Sequence, residues 1–203
     1  MVKIFLKLPL FVVFLTTSSI LKADPYSLAN ISQYLQNLKI LKADFSQTNP
    51  DGTISSGTIL IKRPGRMRFE YNKPDKTLVL VSAGALAIFD PKGDEKPITY
   101  PIKNNPISLI LKGEVDLLNS GIVAKYKSSS DKAVLTIRDP KKPQRGSVEL
   151  VFVGTTPVLE KFTIKNENGS STSISLKDIK YPKKLNETLF SIALETSKRR
   201  RKD

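Results

Sequence analysis

The stretch "GTILIKRPGRMRFEY", Gly57 to Tyr71, decides how this chain folds. Side chains on a strand alternate between faces, so Ile59, Ile61 and Arg63 share one face of its first half. The Pro-Gly pair turns the chain back. A two-residue loop at Pro64-Gly65 would set Arg63 opposite Arg66, Ile61 opposite Arg68 and Ile59 opposite Glu70, so apolar would meet charged along the whole hairpin. An odd loop, Pro64-Gly65-Arg66, sets Arg63 opposite Met67, Ile61 opposite Phe69 and Ile59 opposite Tyr71. One face then reads Ile59, Ile61, Met67, Phe69 and Tyr71 with Arg63 at its end, while the other carries Lys62, Arg68 and Glu70. A one-residue slip flips every side chain, and Pro-Gly suits a tight mirror-image turn poorly. The odd loop is expected.

Arg63 then lies at the rim of an apolar face, where a charge without partners costs several kcal/mol even when partly buried. Two readings stay open. The side chain reaches over the core to water or a nearby acid, or its five donors clamp the carbonyls at a helix end, which carry partial negative charge.

The pattern of this hairpin continues outward. Short segments follow it and precede it: "LKADFSQT", "KTLVLVS", "ALAIFD", "PITYP", "GIVAKYKS", "KAVLTIRD", "GSVELVFV", "LEKFTIKN" and "STSISLKDI". With the two arms of the hairpin they make about eleven strands with turn signals at every 8–12 residues, as in all-β sandwiches and barrels. Two apolar elements interrupt the series. Asp24-Pro25 is read as the N-cap and first turn of a helix of about four turns, with Leu28, Ile31, Leu35 and Leu38 as its apolar stripe. "NNPISLILKGEVDLLN", Asn104 to Asn119, reads as one or two short apolar helices inserted between strands. The expected object is a curved antiparallel sheet, mainly β, whose open mouth is closed by helices.

Residues 1–23 have the layout of a secretory signal peptide: Lys3 and Lys7, an apolar run from Leu8 to Leu15, then small polar residues to Ala23. The uncharged stretch from Leu8 to Leu21 falls short of the roughly 18 apolar residues that span a bilayer. The expected organisation is a leader over 1–23, one folded domain over 24–195 and a basic tail over 196–203. Cysteine is absent, so neither disulfides nor a lipid-attachment cysteine is expected. The net charge is +14, and three lysines with no acid in the leader account for three of it, leaving +11 on the rest. "SKRRRKD" at the end is read as a solvated tail, with attraction to an anionic membrane or an acidic partner as the alternative. A nucleic-acid partner conflicts with export.

Catalysis is not expected. The chain has no His and no Cys, which removes the common nucleophile–base pairs and most metal sites. Ser129-Ser130-Asp131-Lys132 matches S-x-x-K by letter, but it sits in a polar turn without companion motifs.

At "FSQ" (Phe45–Gln47), "SGTILIKRPGRMRFEY" (Ser56–Tyr71), "LVLVSAGALAIFDP" (Leu78–Pro91) and "NPISLIL" (Asn105–Leu111), in this order after a leader and a first helix, the sequence resembles the periplasmic lipoprotein carriers of the LolA family. The resemblance covers about residues 24–195. It implies a half-open barrel of about eleven strands with a helical lid, an apolar cavity for lipoprotein acyl chains, a periplasmic location and a monomer. Expected partners are acylated lipoproteins, an ATP-driven releasing complex in the inner membrane, and an outer-membrane acceptor lipoprotein or the outer membrane itself; no cofactor or metal is expected. The resemblance makes Arg63 the lid latch and Met67 a position that accepts cargo. Ile59, Ile61, Met67, Phe69, Tyr71, Phe89 and Ile110 are the expected cavity or its mouth, and Leu28, Ile31, Leu35, Ile107 and Leu111 the lid. The tryptophans frequent in such sheets are missing here; Phe69, Phe89 and Ile88 stand nearby. The alternative function is a related envelope sensor or scaffold that binds lipid or lipoprotein without transport.

Overall fold

The computed structural model describes residues 25–93 and 96–201. The expected signal peptide, the expected cap Asp24 and the last two residues of the basic tail lie outside the described residues. Eleven strands form one antiparallel sheet: β1 (Ile40–Thr48), β2 (Ile54–Lys62), β3 (Arg66–Tyr71), β4 (Leu78–Ser82), β5 (Ala85–Phe89), β6 (Ile98–Pro101), β7 (Val123–Ser128), β8 (Lys132–Ile137), β9 (Gly146–Val153), β10 (Val158–Asn166) and β11 (Ser171–Lys180). Their order is β6-β5-β4-β3-β2-β1-β11-β10-β9-β8-β7. Two meanders of consecutive hairpins are thus joined where β1 pairs with β11, and β6 and β7 remain as the two edges of a half-open barrel.

The β2–β3 hairpin has the expected faces but a different register. Ile61 pairs with Met67, Ile59 with Phe69, Gly57 with Tyr71 and Lys62 with Arg66. The loop is therefore Arg63-Pro64-Gly65, one residue earlier than the sequence reading puts it. Gly65 takes φ +72°, the left-handed residue that closes a three-residue hairpin loop, a conformation costly for Arg66. The slip of two in the pairing keeps every side chain on its expected face. Gly57 allows the strands to close up, because a Cβ there would lie 2.0 Å from Glu70 O and 2.9 Å from the Phe45 ring. That ring packs edge-on against Phe69 and Tyr71, with centroids 5.2 and 5.1 Å away.

Helix α1 (Leu28–Asn37) lies against the inner face of the sheet. It begins later than Asp24-Pro25 and makes about three turns. Its N-cap is Ser27, whose Oγ accepts the Asn30 N–H at 3.2 Å. Pro25 and Tyr26 form a turn before it. Ser27→Ala should cost about 1 kcal/mol, read as a Tm lower by roughly 2–4 °C; an unchanged Tm would show that tertiary contacts alone hold this end of the helix.

The insert between β6 and β7 contains only two single-turn 3-10 helices, Ile102–Asn104 and Pro106–Leu109; the rest is turns, bends and irregular chain, with Leu111 in a turn. Gly113 disfavours continuing the helix past Leu111, yet Ile107, Leu109, Ile110, Leu111, Val115 and Leu117 are all buried. They join Ile31, Leu35, Ile59, Ile61, Met67, Phe69, Leu135, Leu150 and Phe152 in one core between lid and sheet.

A second apolar cluster lies on the outer face: Leu78, Leu80, Ala87 and Phe89, packed by Ile192. Phe89 therefore does not line the inner face, contrary to the sequence expectation. Strand β5 is apolar on both sides because helix α2 (Ile192–Arg200) covers its outer side, so alternation alone could not place Phe89. The basic run expected as a solvated tail continues α2 to Arg200.

Candidate functional site

Arg63 is the pivot of the inner rim. Only 6% of it is exposed. Its Nε donates to Lys112 O at 2.8 Å, and its Nη1 donates to Leu38 O at 3.0 Å and to Leu35 O. Leu35 and Leu38 end helix α1, whose last carbonyls lack intrahelical donors and carry the negative end of the helix dipole. Lys112 belongs to the apolar insert. One guanidinium thus ties two covering segments to the hairpin, without a carboxylate in the arrangement. Burial draws its pKa below the ordinary arginine value, though such a group stays protonated in proteins. The hairpin backbone adds two bonds: Arg63 N–H to Lys39 O and Gly65 N–H to Leu111 O, both at 2.8 Å. Of the two readings of Arg63, the geometry is that of a clamp on helix-end carbonyls.

Helix α1 and the insert also meet directly. The buried Ser32 Oγ accepts the Leu117 N–H at 3.3 Å. At the other side of α1, the Tyr26 hydroxyl lies 2.6 Å from Asp131 O and 2.5 Å from Gly154 O, two carbonyls in turns of the β7–β10 meander. The Tyr34 hydroxyl receives the Leu159 N–H at 3.3 Å and sits 3.1 Å from the Tyr181 hydroxyl. Sequence reasoning missed Tyr26, Ser32 and Tyr34. Ser32 carried a signal, since it stands four residues after Leu28 on the apolar stripe.

The expected lid residues come together under this clamp: Ile31, Leu35, Ile107 and Leu111 are buried, and Leu28 packs half-buried on the core. Ile59, Ile61, Met67 and Phe69 form the facing wall, and Ile110 reaches it from the insert. Tyr71 ends that wall away from Arg63, its hydroxyl donating to Gln47 Oε1 at 2.7 Å; burial pushes the phenol pKa up to about 12. Phe89 stands apart, on the outer face. In this structure lid side chains pack directly against this wall, in the place where the resemblance implies an apolar cavity. With both covers clamped, the same apolar surfaces satisfy one another. Two grooves flank the clamp at the surface. One, of about 410 Å³, runs past Tyr34, Leu38, Ile40 and Tyr181; the other, of about 260 Å³, runs past Pro64, Val81, Ile102 and Leu111.

The outer-membrane lipoprotein carrier protein of Coxiella burnetii is 27% identical over 183 residues, covering 85% of each chain. The protein of the same description from Chromohalobacter salexigens is 22% identical over 172 residues, covering 81% of each. Among solved structures, a LolA superfamily protein from Nitrosomonas europaea matches 80% of this chain and 96% of its own length, at 12% identity and a TM-score of 0.42. A family model described as "Outer membrane lipoprotein carrier protein LolA" matches residues 36–193, and by that match across most of its length the chain belongs to the LolA family.

Proposed function

We propose that this protein is a periplasmic chaperone that carries lipoproteins from the inner to the outer membrane, with their acyl chains held between the inner face of the sheet and a lid made of α1 and the insert. The observation that carries the reading is the Arg63 clamp: one buried cation holds two apolar covers shut through backbone carbonyls alone. Opening it exposes Ile59, Ile61, Met67 and Phe69 on one side and Ile31, Leu35 and Ile107 on the other, two faces fit for acyl chains.

Magnitudes make the scheme workable. Each buried CH₂ is worth about 0.8 kcal/mol relative to water, so three ordinary acyl chains would total about 35 kcal/mol, beyond the ceiling of about 21 kcal/mol for non-covalent affinity. Exchange between bilayer and protein cancels most of that. Opening the lid against its own packing is then the costly step, which suits an ATP-driven releasing complex at the inner membrane. Closing is downhill and favours delivery to an outer-membrane acceptor lipoprotein or to the outer membrane itself. The chain does this without chemistry: the clamp moves hydrogen bonds, not covalent ones.

The test is binding of a purified acylated lipoprotein, loaded from detergent, against the same protein lacking its acyl chains. A stable complex with the acylated form only is expected. Equal capture of both, or of neither, would refute the carrier reading.

A further inference from the structure

Helix α2 is anchored to the outer wall more firmly than its composition suggests. Ser191 caps it by accepting the Leu194 N–H at 3.1 Å, and Phe190 just before it is buried. Ile192 packs on Leu78, Leu80, Ala87 and Phe89, and the Arg199 guanidinium lies 4.9 Å above the Phe89 ring. Arg68 on β3 donates to Leu189 O at 2.8 Å and reaches Glu195 at 3.9 Å, while Glu195 also lies 3.7 Å from Arg199. Ile192, Glu195, Thr196 and Arg199, spaced as one helical face, are the half-buried positions; Ala193, Leu194, Ser197, Lys198, Arg200 and Arg201 are exposed. The single acid of the helix is turned inward and neutralised. The outward face carries cations and one leucine.

We propose that this outward face of α2 docks the protein on an anionic lipid bilayer. Charge complementarity is the first argument: successive Lys and Arg side chains at one helix end are the usual match to an anionic lipid surface. Shape is the second, because α2 stands out from a convex wall instead of lining a groove that would grip a peptide. Position is the third. The helix covers β5 on the outer face, next to the free edge strand β6; the exposed Ile98 and Tyr100 of β6 pair with Ile88 and Leu86 and so point to the inner face, which leaves the contact to α2 itself. At nine residues, α2 is about 13 Å long and too short to insert. The contact is peripheral, electrostatic and salt-sensitive. Vesicle binding does not depend on the carrier reading; the benefit to hand-over, an open barrel edge held at the lipid surface, rests on it.

The experiment is co-sedimentation of the purified protein, without cargo, with phosphatidylglycerol-containing vesicles and with pure phosphatidylcholine vesicles. Binding to the anionic vesicles at about 0.05 M salt, and its loss at about 1 M salt, is expected. K198S/R201S should bind about 25-fold more weakly, while K141S/K142S, which removes equal charge in the β8–β9 loop, should bind like wild type. Circular dichroism checks that each variant keeps its fold. Equal weakening by both pairs would assign the attraction to overall charge and overturn the proposal. Binding to polyglutamate but not to vesicles would overturn it in favour of an acidic protein partner. Vesicle binding with no capture of acylated lipoprotein would uphold the docking face and refute the carrier reading alone.

Discussion

Arg63→Leu is expected to slow release of a bound acylated lipoprotein to acceptor membranes by at least tenfold while the sheet stays folded. The closed lid loses donors to Leu35 O, Leu38 O and Lys112 O. Hydrogen bonds to a charged group contribute about 1.5–3 kcal/mol each, and the cost of burying the guanidinium offsets part of the total. A net loss of about 2–3 kcal/mol is on the order of a thirty- to hundredfold shift away from the closed state. In the proposed mechanism the loaded state has already broken these bonds, so it loses nothing. The population shift therefore favours cargo that stays bound. The empty variant should melt roughly 5–10 °C lower. Arg63→Lys should fall between the two, since an ammonium keeps the charge but lacks the fork that reaches both covers. The clamp offers no group that titrates near neutrality, and the chain has no histidine, so the release rate should be flat from about pH 6 to about pH 9. Release from the Arg63→Leu variant at the wild-type rate would remove the clamp from the mechanism.

How far the sequence reveals this arrangement depends on which physical constraint each residue feels. The strands of the sheet are legible because one buried face imposes alternation, and the turn residues between them punctuate it. The hairpin faces are legible for the same reason, but its register is not. Shifting the pairing by two keeps Ile59, Ile61, Met67 and Phe69 inside, so hydrophobic patterning is blind to it, and only the left-handed demand at Gly65 separates the options. The face of Phe89 is not legible because β5 is covered on both faces. The inward face of α2 combines Ile192 with Glu195 and Arg199, which reads as solvated charge until Arg68 and Phe89 are seen opposite. The acceptors of Arg63 are backbone carbonyls, and these leave no mark in a sequence.

Met67→Glu should abolish loading and destabilise the protein in a pH-dependent way. Met67 is 1% exposed, paired with Ile61 on one side and Val81 on the other, so it is part of the inner wall and not of an exposed mouth. A carboxylate there has no partner among these neighbours, and desolvation raises its pKa in the folded state. The unfolded chain gives up the same proton near pH 4. Stability is therefore lost as pH rises from about 4 to the raised folded-state value, and the deficit is full above it. At pH 7 it should reach at least about 3 kcal/mol, or roughly 6–12 °C in Tm, and it should shrink at pH 4. Met67→Leu keeps the volume and should cost under about 1.5 kcal/mol, with loading intact. Loading can be read apart from folding in the window near pH 5, where the Glu variant regains its cooperative melt. The new side chain, charged or merely polar, still faces the path of any acyl chain there, so capture of acylated lipoprotein should remain below one-tenth of wild type by order of magnitude. If the Glu variant melted like wild type and loaded normally, Met67 would not line the acyl path, and the wall built from Ile59, Ile61 and Phe69 beside it would lose its claim with it.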